Sequence, residues 1–214
     1  MIEAELTGTD QLKGEFISPG GKVRLEAIRN DTARLPDPYT LTYLKPGFEK
    51  LSFAFPALNG KTVSLQDEKY KGKVVIVTIG GTWCPNCIDE AAFLAPWYKK
   101  NKARGVEIIN VSFERKDDFE FAKSRLTPFV KRFDIQYDVL FAGAADKKVV
   151  AEKFPELNTF LSFPTTFFID KQGKVRKVHT GYTGPATGHY YEEFLDEFND
   201  EVHELLKESS NGTY

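Results

Sequence analysis

Residues 74–79 (Val74, Val75, Ile76, Val77, Thr78, Ile79) form an apolar, mostly β-branched run that ends at Gly80 and Gly81. Such a run reads as a strand buried on both faces and stopped by a tight turn. Ala91, Leu94, Ala95 and Tyr98 then recur at helical spacing, so the period switches from strand to helix just after the glycines. Pro96 lies inside that helix and predicts a kink. The same reading gives a strand at 106–113, a helix at 117–133 interrupted by Pro128, a short strand at 137–141 and a short helix at 147–154. Residues 165–170 and 174–179 flank a Gln172-Gly173 turn, and Tyr191, Phe194, Leu195, Phe198, Val202, Leu205 and Leu206 form one apolar stripe of a closing helix. Strands alternating with helices predict a central sheet with parallel pairing, and the late strand-turn-strand adds an antiparallel edge. The class is α/β.

Ahead of this block the pattern is different. Residues 14–18 and 22–27 flank Pro19-Gly20-Gly21 and alternate as a β-hairpin, and residues 51–55 and 62–65 flank Asn59-Gly60 as a second one. Pro36, Pro38 and Pro46-Gly47 punctuate a linker between them. The predicted division is therefore a hairpin segment and linker at 1–46 and the α/β domain at 47–214. A lone hairpin is marginal in water. The first must lean on the following domain or belong to a larger β-domain.

Composition narrows the partners. The chain of 214 residues carries 29 Lys and Arg against 31 Asp and Glu, a net charge of −2. No field attracts nucleic acid or an anionic membrane. No apolar run approaches the roughly 20 residues of a membrane span, and the first residues lack a basic and apolar leader.

The chemistry lies in Gly80-Gly81-Thr82-Trp83-Cys84-Pro85-Asn86-Cys87, which holds both cysteines of the chain. Cys84 falls at a helix N-terminus, where orphan N–H groups and the helix dipole favour a thiolate. Pro85 suits the first helical position. Cys87, one turn further in, is the shielded partner, so Cys84 is expected to be the exposed, acidified nucleophile. A bond between residues three apart on a helix requires local tightening and is labile rather than structural. His179, His189 and His203 lack the spacing that would complete a zinc site with the pair. No metal and no cofactor beyond the Cys84–Cys87 pair is expected.

Trp83-Cys84-Pro85-Asn86-Cys87, the strand before it, and Phe163-Pro164-Thr165-Thr166-Phe167-Phe168-Ile169-Asp170 resemble the TlpA and ResA-like thiol-disulfide oxidoreductases, close to the peroxiredoxin superfamily. The resemblance spans roughly residues 47 to 207. It implies a thioredoxin-like three-layer α/β/α sandwich with a mixed sheet, the N-terminal hairpin as an extension, and a central insert after residue 113. It implies a cis Pro164 facing the cysteines. Trp83, Pro85, Phe163, Pro164 and Thr165 would contact a substrate segment paired with the backbone beside Pro164. Disulfides of partner proteins and an upstream electron donor are the implied partners, and the implied location is extracytoplasmic. Where thioredoxin carries a buried acid this chain has Thr78, which leaves Glu90, three residues after Cys87, as the candidate proton acceptor. Pro85 directly after the first cysteine is an order seen in more oxidising relatives, although reduction is the expected direction.

Two alternatives remain at this point. A peroxidase of the related superfamily needs proline and a hydroxyl residue at the positions held here by Val77 and Gly81. A thioredoxin-fold copper chaperone needs a wider cysteine spacing and a partner histidine, for which His179 is the candidate.

Overall fold

The computed structural model describes residues 1–18 and 20–208. It divides into two compact units, Met1–Pro36 and the chain from Asp37 onward.

The N-terminal unit is a three-stranded antiparallel meander of β1 (Ile2–Thr7), β2 (Gln11–Ser18) and β3 (Gly21–Ile28), in that order across the sheet. The expected hairpin is β2–β3; Pro19 of its turn lies outside the described residues. β1 adds a third strand, because Ile2, Ala4 and Leu6 alternate with Glu3 and Glu5 on the period that β2 presents to it.

The second unit begins ten residues earlier than the sequence pattern suggests. Residues 37–46 do not form a free linker, because they bond to the end of the last strand at Thr180 and to residues 155–158. The Thr180 N–H donates to Pro38 O at 3.0 Å, its hydroxyl donates to Thr42 Oγ1 at 2.9 Å, and Leu44 bridges to Leu157. Backbone groups along a sheet edge need partners. At Thr180 these residues supply them.

The hairpin β4 (Ala54–Pro56) and β5 (Thr62–Ser64) precedes β6 (Val74–Gly80), α1 (Pro85–Asn101), β7 (Val106–Glu114), α2 (Phe119–Phe133), β8 (Asp138–Ala144), α3 (Lys147–Lys153), β9 (Thr165–Ile169), β10 (Val175–Thr180) and α4 (His189–Lys207). The five-stranded sheet runs β10-β9-β6-β7-β8, with β6, β7 and β8 parallel and β9 antiparallel to both its neighbours. β6 lies at the centre and its residues are buried along its whole length. Its odd positions Val75, Val77 and Ile79 join Phe53, Phe55, Val150 and Phe154 on one face; its even positions Val74 and Ile76 join Leu94, Leu126 and Phe198 on the other. Helices α1, α2 and α4 thus cover one face and α3 with the β4–β5 hairpin covers the opposite one.

Both interior prolines are absorbed without breaking a helix. Pro96 and Pro128 are exposed, and so are Ala92 and Ser124 four residues before them, whose carbonyls lose their helical donors. Those carbonyls face water, which removes much of the usual penalty. Among the described residues no helix is long and apolar enough to cross a membrane.

Phe198 anchors the α4 face. It is 1% exposed and its ring meets Phe93 and Trp97 at 5.1 Å and Phe168 at 5.3 Å. Phe198→Ala is expected to cost about 3–5 kcal/mol of unfolding free energy, read as a lowered denaturant midpoint with an unchanged slope.

Candidate active site

The loop between β6 and α1 is pinned to the end of β7. A side chain at Gly81 would place its Cβ 2.4 Å from the Phe113 carbonyl oxygen, so only glycine lets the two segments approach. Trp83 Nε1 donates to that same carbonyl at 2.9 Å. The Thr82 N–H and hydroxyl donate to Glu114 Oε1 and Oε2 at 2.9 and 2.8 Å, and Ser112 Oγ donates to Oε1 at 2.9 Å. Glu114 is 1% exposed, and these hydrogen bonds are what make its burial tolerable. The sequence reading missed it by ending the strand at Phe113. An acid closing a buried strand beside the cysteine loop was the available signal.

This loop delivers Cys84 as the N-cap of α1, with Pro85 in the first helical position as expected. Its sulfur accepts from the Cys87 N–H at 3.3 Å and lies 3.7 Å from the Phe163 carbonyl oxygen. Its pKa is lowered to about 7, first by the hydrogen bond from the Cys87 thiol and then by the Cys87 and Asn86 N–H groups, with burial opposing. The Cys87 thiol is pushed well above the ordinary range, first because it donates to Cys84, then by burial and by the negative charges of Cys84 and Glu90. Both are free thiols and each is 5% exposed. The expectation of an exposed Cys84 beside a shielded Cys87 is therefore corrected. Half-buried Trp83 packs edge-on to Phe163 at 5.2 Å, and the direction of the thiol hydrogen bond is the first cause that separates the two sulfurs.

Glu90 is buried in the next turn of α1 and accepts from Thr166 Oγ1 on β9 at 2.6 Å. Burial raises its pKa to about 8, the Cys84 charge adds to this, and the Thr166 hydrogen bond opposes it. Thr166 pairs across the sheet with Thr78, whose hydroxyl accepts from Asn110 Nδ2 at 2.8 Å. A neutral hydroxyl and amide thus occupy the place of the thioredoxin acid. Thr166 was not singled out from the sequence, because its bearing on Glu90 depends on strand register.

The Phe163–Pro164 bond is cis, and the carbonyl before it is the one against Cys84. The Pro164 carbonyl accepts from the Gly181 N–H at 2.8 Å. Trp83 and Phe163 are half-buried and Pro85 is exposed, so these three border the site on its solvent side. Thr165 is not placed for the substrate contact expected of it. It is fully buried, its hydroxyl donates to Ser162 O at 2.9 Å, and its strand is paired with β6 on one side and β10 on the other. Position within a central strand removes both its side chain and its backbone from reach. His179 is buried, with Nδ1 3.0 Å from Gly181 O and its ring against Tyr39 and Phe194. Burial lowers its pKa, as befits a packed, neutral ring. Among the described residues no three His, Cys, Asp or Glu side chains gather as a metal-ligand set. The space at Gly81 admits no hydroxyl residue, which removes the peroxidase arrangement at that position.

The AhpC/TSA family model matches residues 47–178. The ResA thiol-disulfide oxidoreductase of Bacillus thuringiensis subsp. konkukian is 35% identical over 149 residues, 70% of this chain and 76% of the relative. This chain belongs to the ResA-type thiol-disulfide oxidoreductases of the AhpC/TSA family. The ResA of Bacillus subtilis is 31% identical over 148 residues, 69% of this chain and 74% of the relative. A solved thioredoxin-family thiol:disulfide interchange protein from Chlorobium tepidum superposes with a TM-score of 0.54 at 23% identity, covering 74% of this chain and 95% of its own. The fold is thioredoxin-like and the ResA-type activity is thiol-disulfide exchange.

The asymmetry of the two thiols is directly measurable. Alkylation of the reduced protein should modify Cys84 before Cys87, with a rate reaching half its maximum near pH 7 rather than near the ordinary 9.

Glu90 gives a stability signature. Its native pKa of about 8 exceeds the ordinary 4.5, so between these values the native state holds the proton that the unfolded state releases. Stability therefore falls as pH rises through this window, by at most about 1.4 kcal/mol per unit. Glu90→Gln, which keeps an acceptor for Thr166, should lack this loss. The gap in its favour should widen from pH 5 to pH 8 in denaturant titrations.

Proposed function

We propose that the chain is a disulfide reductase for partner proteins, in which Cys84 attacks, Cys87 resolves and Glu90 takes the proton that resolution releases. The Cys84 thiolate displaces one sulfur of a substrate disulfide and forms a mixed disulfide. Cys87 loses its proton to the Glu90 carboxylate and attacks the Cys84 sulfur. The substrate leaves as a dithiol, and the two electrons it gains are those lost in forming the Cys84–Cys87 disulfide. An upstream dithiol donor restores the pair.

The observation that carries this reading is a buried carboxyl with a pKa of about 8 whose charge also raises the thiol it would deprotonate. Its timing follows from electrostatics. While Cys84 is a thiolate, its charge adds to the burial that holds Glu90 protonated. Mixed-disulfide formation cancels that charge and frees Cys87 from donating to Cys84, so Glu90 ionises more readily as Cys87 becomes easier to deprotonate.

Trp83, Pro85 and Phe163 border the sulfur and offer an apolar rim for a substrate segment. The family resemblance supports a location outside the cytoplasm, and it supports reduction over oxidation despite the Pro85-Asn86 order.

Insulin reduction with a dithiol donor tests the reading. Turnover well above the donor alone is expected; none would overturn it. Glu90→Gln should slow resolution by about 10²-fold at pH 7 while the first attack by Cys84 stays within a few-fold. In the wild type, resolution should accelerate with a midpoint below 8, and that step should vanish in the variant. Equal resolution rates across the range would leave Glu90 without a role in proton transfer.

A further inference from the structure

We propose that the N-terminal unit is a self-association module, in which the apolar face of its meander packs on that of a second copy to make a six-stranded sandwich. The register places Ile2, Phe16 and Val23 in one row across the sheet, Ala4, Gly14 and Leu25 in the next, and Leu6, Leu12 and Ala27 in the third. Apart from Ser18, which pairs with Gly21 beside the turn, this face has no polar side chain. The opposite face carries Glu3, Glu5, Lys13, Glu15, Lys22, Arg24 and Glu26, with Lys22 paired to Glu15 at 2.8 Å and Arg24 to Glu26 at 2.7 Å.

A sheet with one apolar and one charged face is built to bury the first. Here the apolar face is open: Ile2 is 62%, Leu6 67%, Phe16 45% and Val23 62% exposed. A three-stranded sheet with one apolar face holds no core until that face is covered. The AhpC/TSA match at 47–178 does not include it.

The register also favours a second copy as the cover. A two-fold axis running along β2 sets β1 of one copy over β3 of the other. Ala4 then meets Leu25, Leu6 meets Ala27, Ile2 meets Val23, and Leu12, Gly14 and Phe16 meet themselves. Leu25 then falls opposite Ala4 and Leu6 opposite Ala27, large against small as close packing needs, while Leu12 and Phe16 stack on the axis. Gly14 is fixed as the small member, since a Cβ there would lie 2.1 Å from Glu3 O. Edge pairing of β1 with its copy is disfavoured, because it would bring Glu3 and Glu5 of both chains onto one face.

Three strands of six to eight residues make a face about 14 Å wide and about 20–26 Å long. Closing two such faces buries on the order of 1,000 Å² in total, the lower limit for a specific interface. Association is therefore expected at the weak end, half-complete at about 10–100 µM.

Sedimentation of the full chain from about 1 to 500 µM, a range chosen to bracket that constant, should show a monomer–dimer equilibrium. A monomer at every concentration overturns the proposal. Val23→Lys should shift the equilibrium at least tenfold toward monomer, and Arg24→Ala on the charged face should leave it unchanged; a dimer that survives Val23→Lys places the interface elsewhere and overturns it. A second measurement does not depend on how Val23→Lys folds. In a Cys84→Ser/Cys87→Ser background, a short bis-maleimide should join two copies through Phe16→Cys and not through Glu15→Cys. Cross-linking at Glu15→Cys equal to or above that at Phe16→Cys is the opposite result and sinks it.

Discussion

The Cys84 sulfur sits where the Cys87 thiol and the N–H groups of Asn86 and Cys87 converge, and the surrounding fold serves to keep it there. Those donors exist because Cys84 caps α1, and it caps α1 because the preceding loop cannot move. Gly81 lies against the Phe113 carbonyl, Trp83 donates to it, and Glu114 takes both hydrogen bonds that Thr82 can give. β7 carries these anchors and pairs in parallel with β6, whose last residue starts the loop. The position of one sulfur is therefore set by the register of two buried strands. Donors held in place beforehand stabilise a thiolate without reorganising when it forms, and for that reason they are worth more than the same groups in water.

Glu90 is the cost of this arrangement. A carboxyl sealed between α1 and β9 gains one hydrogen bond from Thr166 and loses its hydration, so it ionises only with difficulty. A site selected for stability alone would place an apolar residue there. The aromatic core on the same face of the sheet, with Phe168, Phe194 and Phe198 buried, offsets a local penalty of this size. Retaining an acid in the second turn of α1, under such a penalty, is consistent with use rather than with packing.

Much of this was legible in the sequence because it is local. The switch of period after Gly81 places Cys84 at a helix start, and a three-residue offset puts Glu90 on the face of Cys87. The features that were misread depend on contacts distant in sequence. Thr165 sits beside Pro164 in the chain, yet its strand lies between β6 and β10, so it is unreachable. Cys84 reads as exposed from its helix position alone, while the packing of Trp83 on Phe163 closes over it. Residues 37–46 read as linker because their prolines and polar residues resemble one, and their partners, Thr180 of β10 and residues 155–158, are more than a hundred positions away. Glu114 and Thr166 escaped notice for the same reason: neither lies near the cysteines until the sheet is assembled.

The same electrostatics bear on the direction of electron flow. Stabilising the Cys84 thiolate stabilises the reduced pair, and taken alone this makes the disulfide a stronger oxidant. Glu90 acts against it. Burial allows little room for two negative charges so close together, so the thiolate and the carboxylate compete for one ionisation. Below about pH 8 the carboxyl stays neutral and the thiolate keeps its full stabilisation; above it, the added charge destabilises the reduced pair and the protein gives up electrons more readily. Above that pH, a Cys-Pro-Asn-Cys order considered without Glu90 overstates the oxidising character of the site.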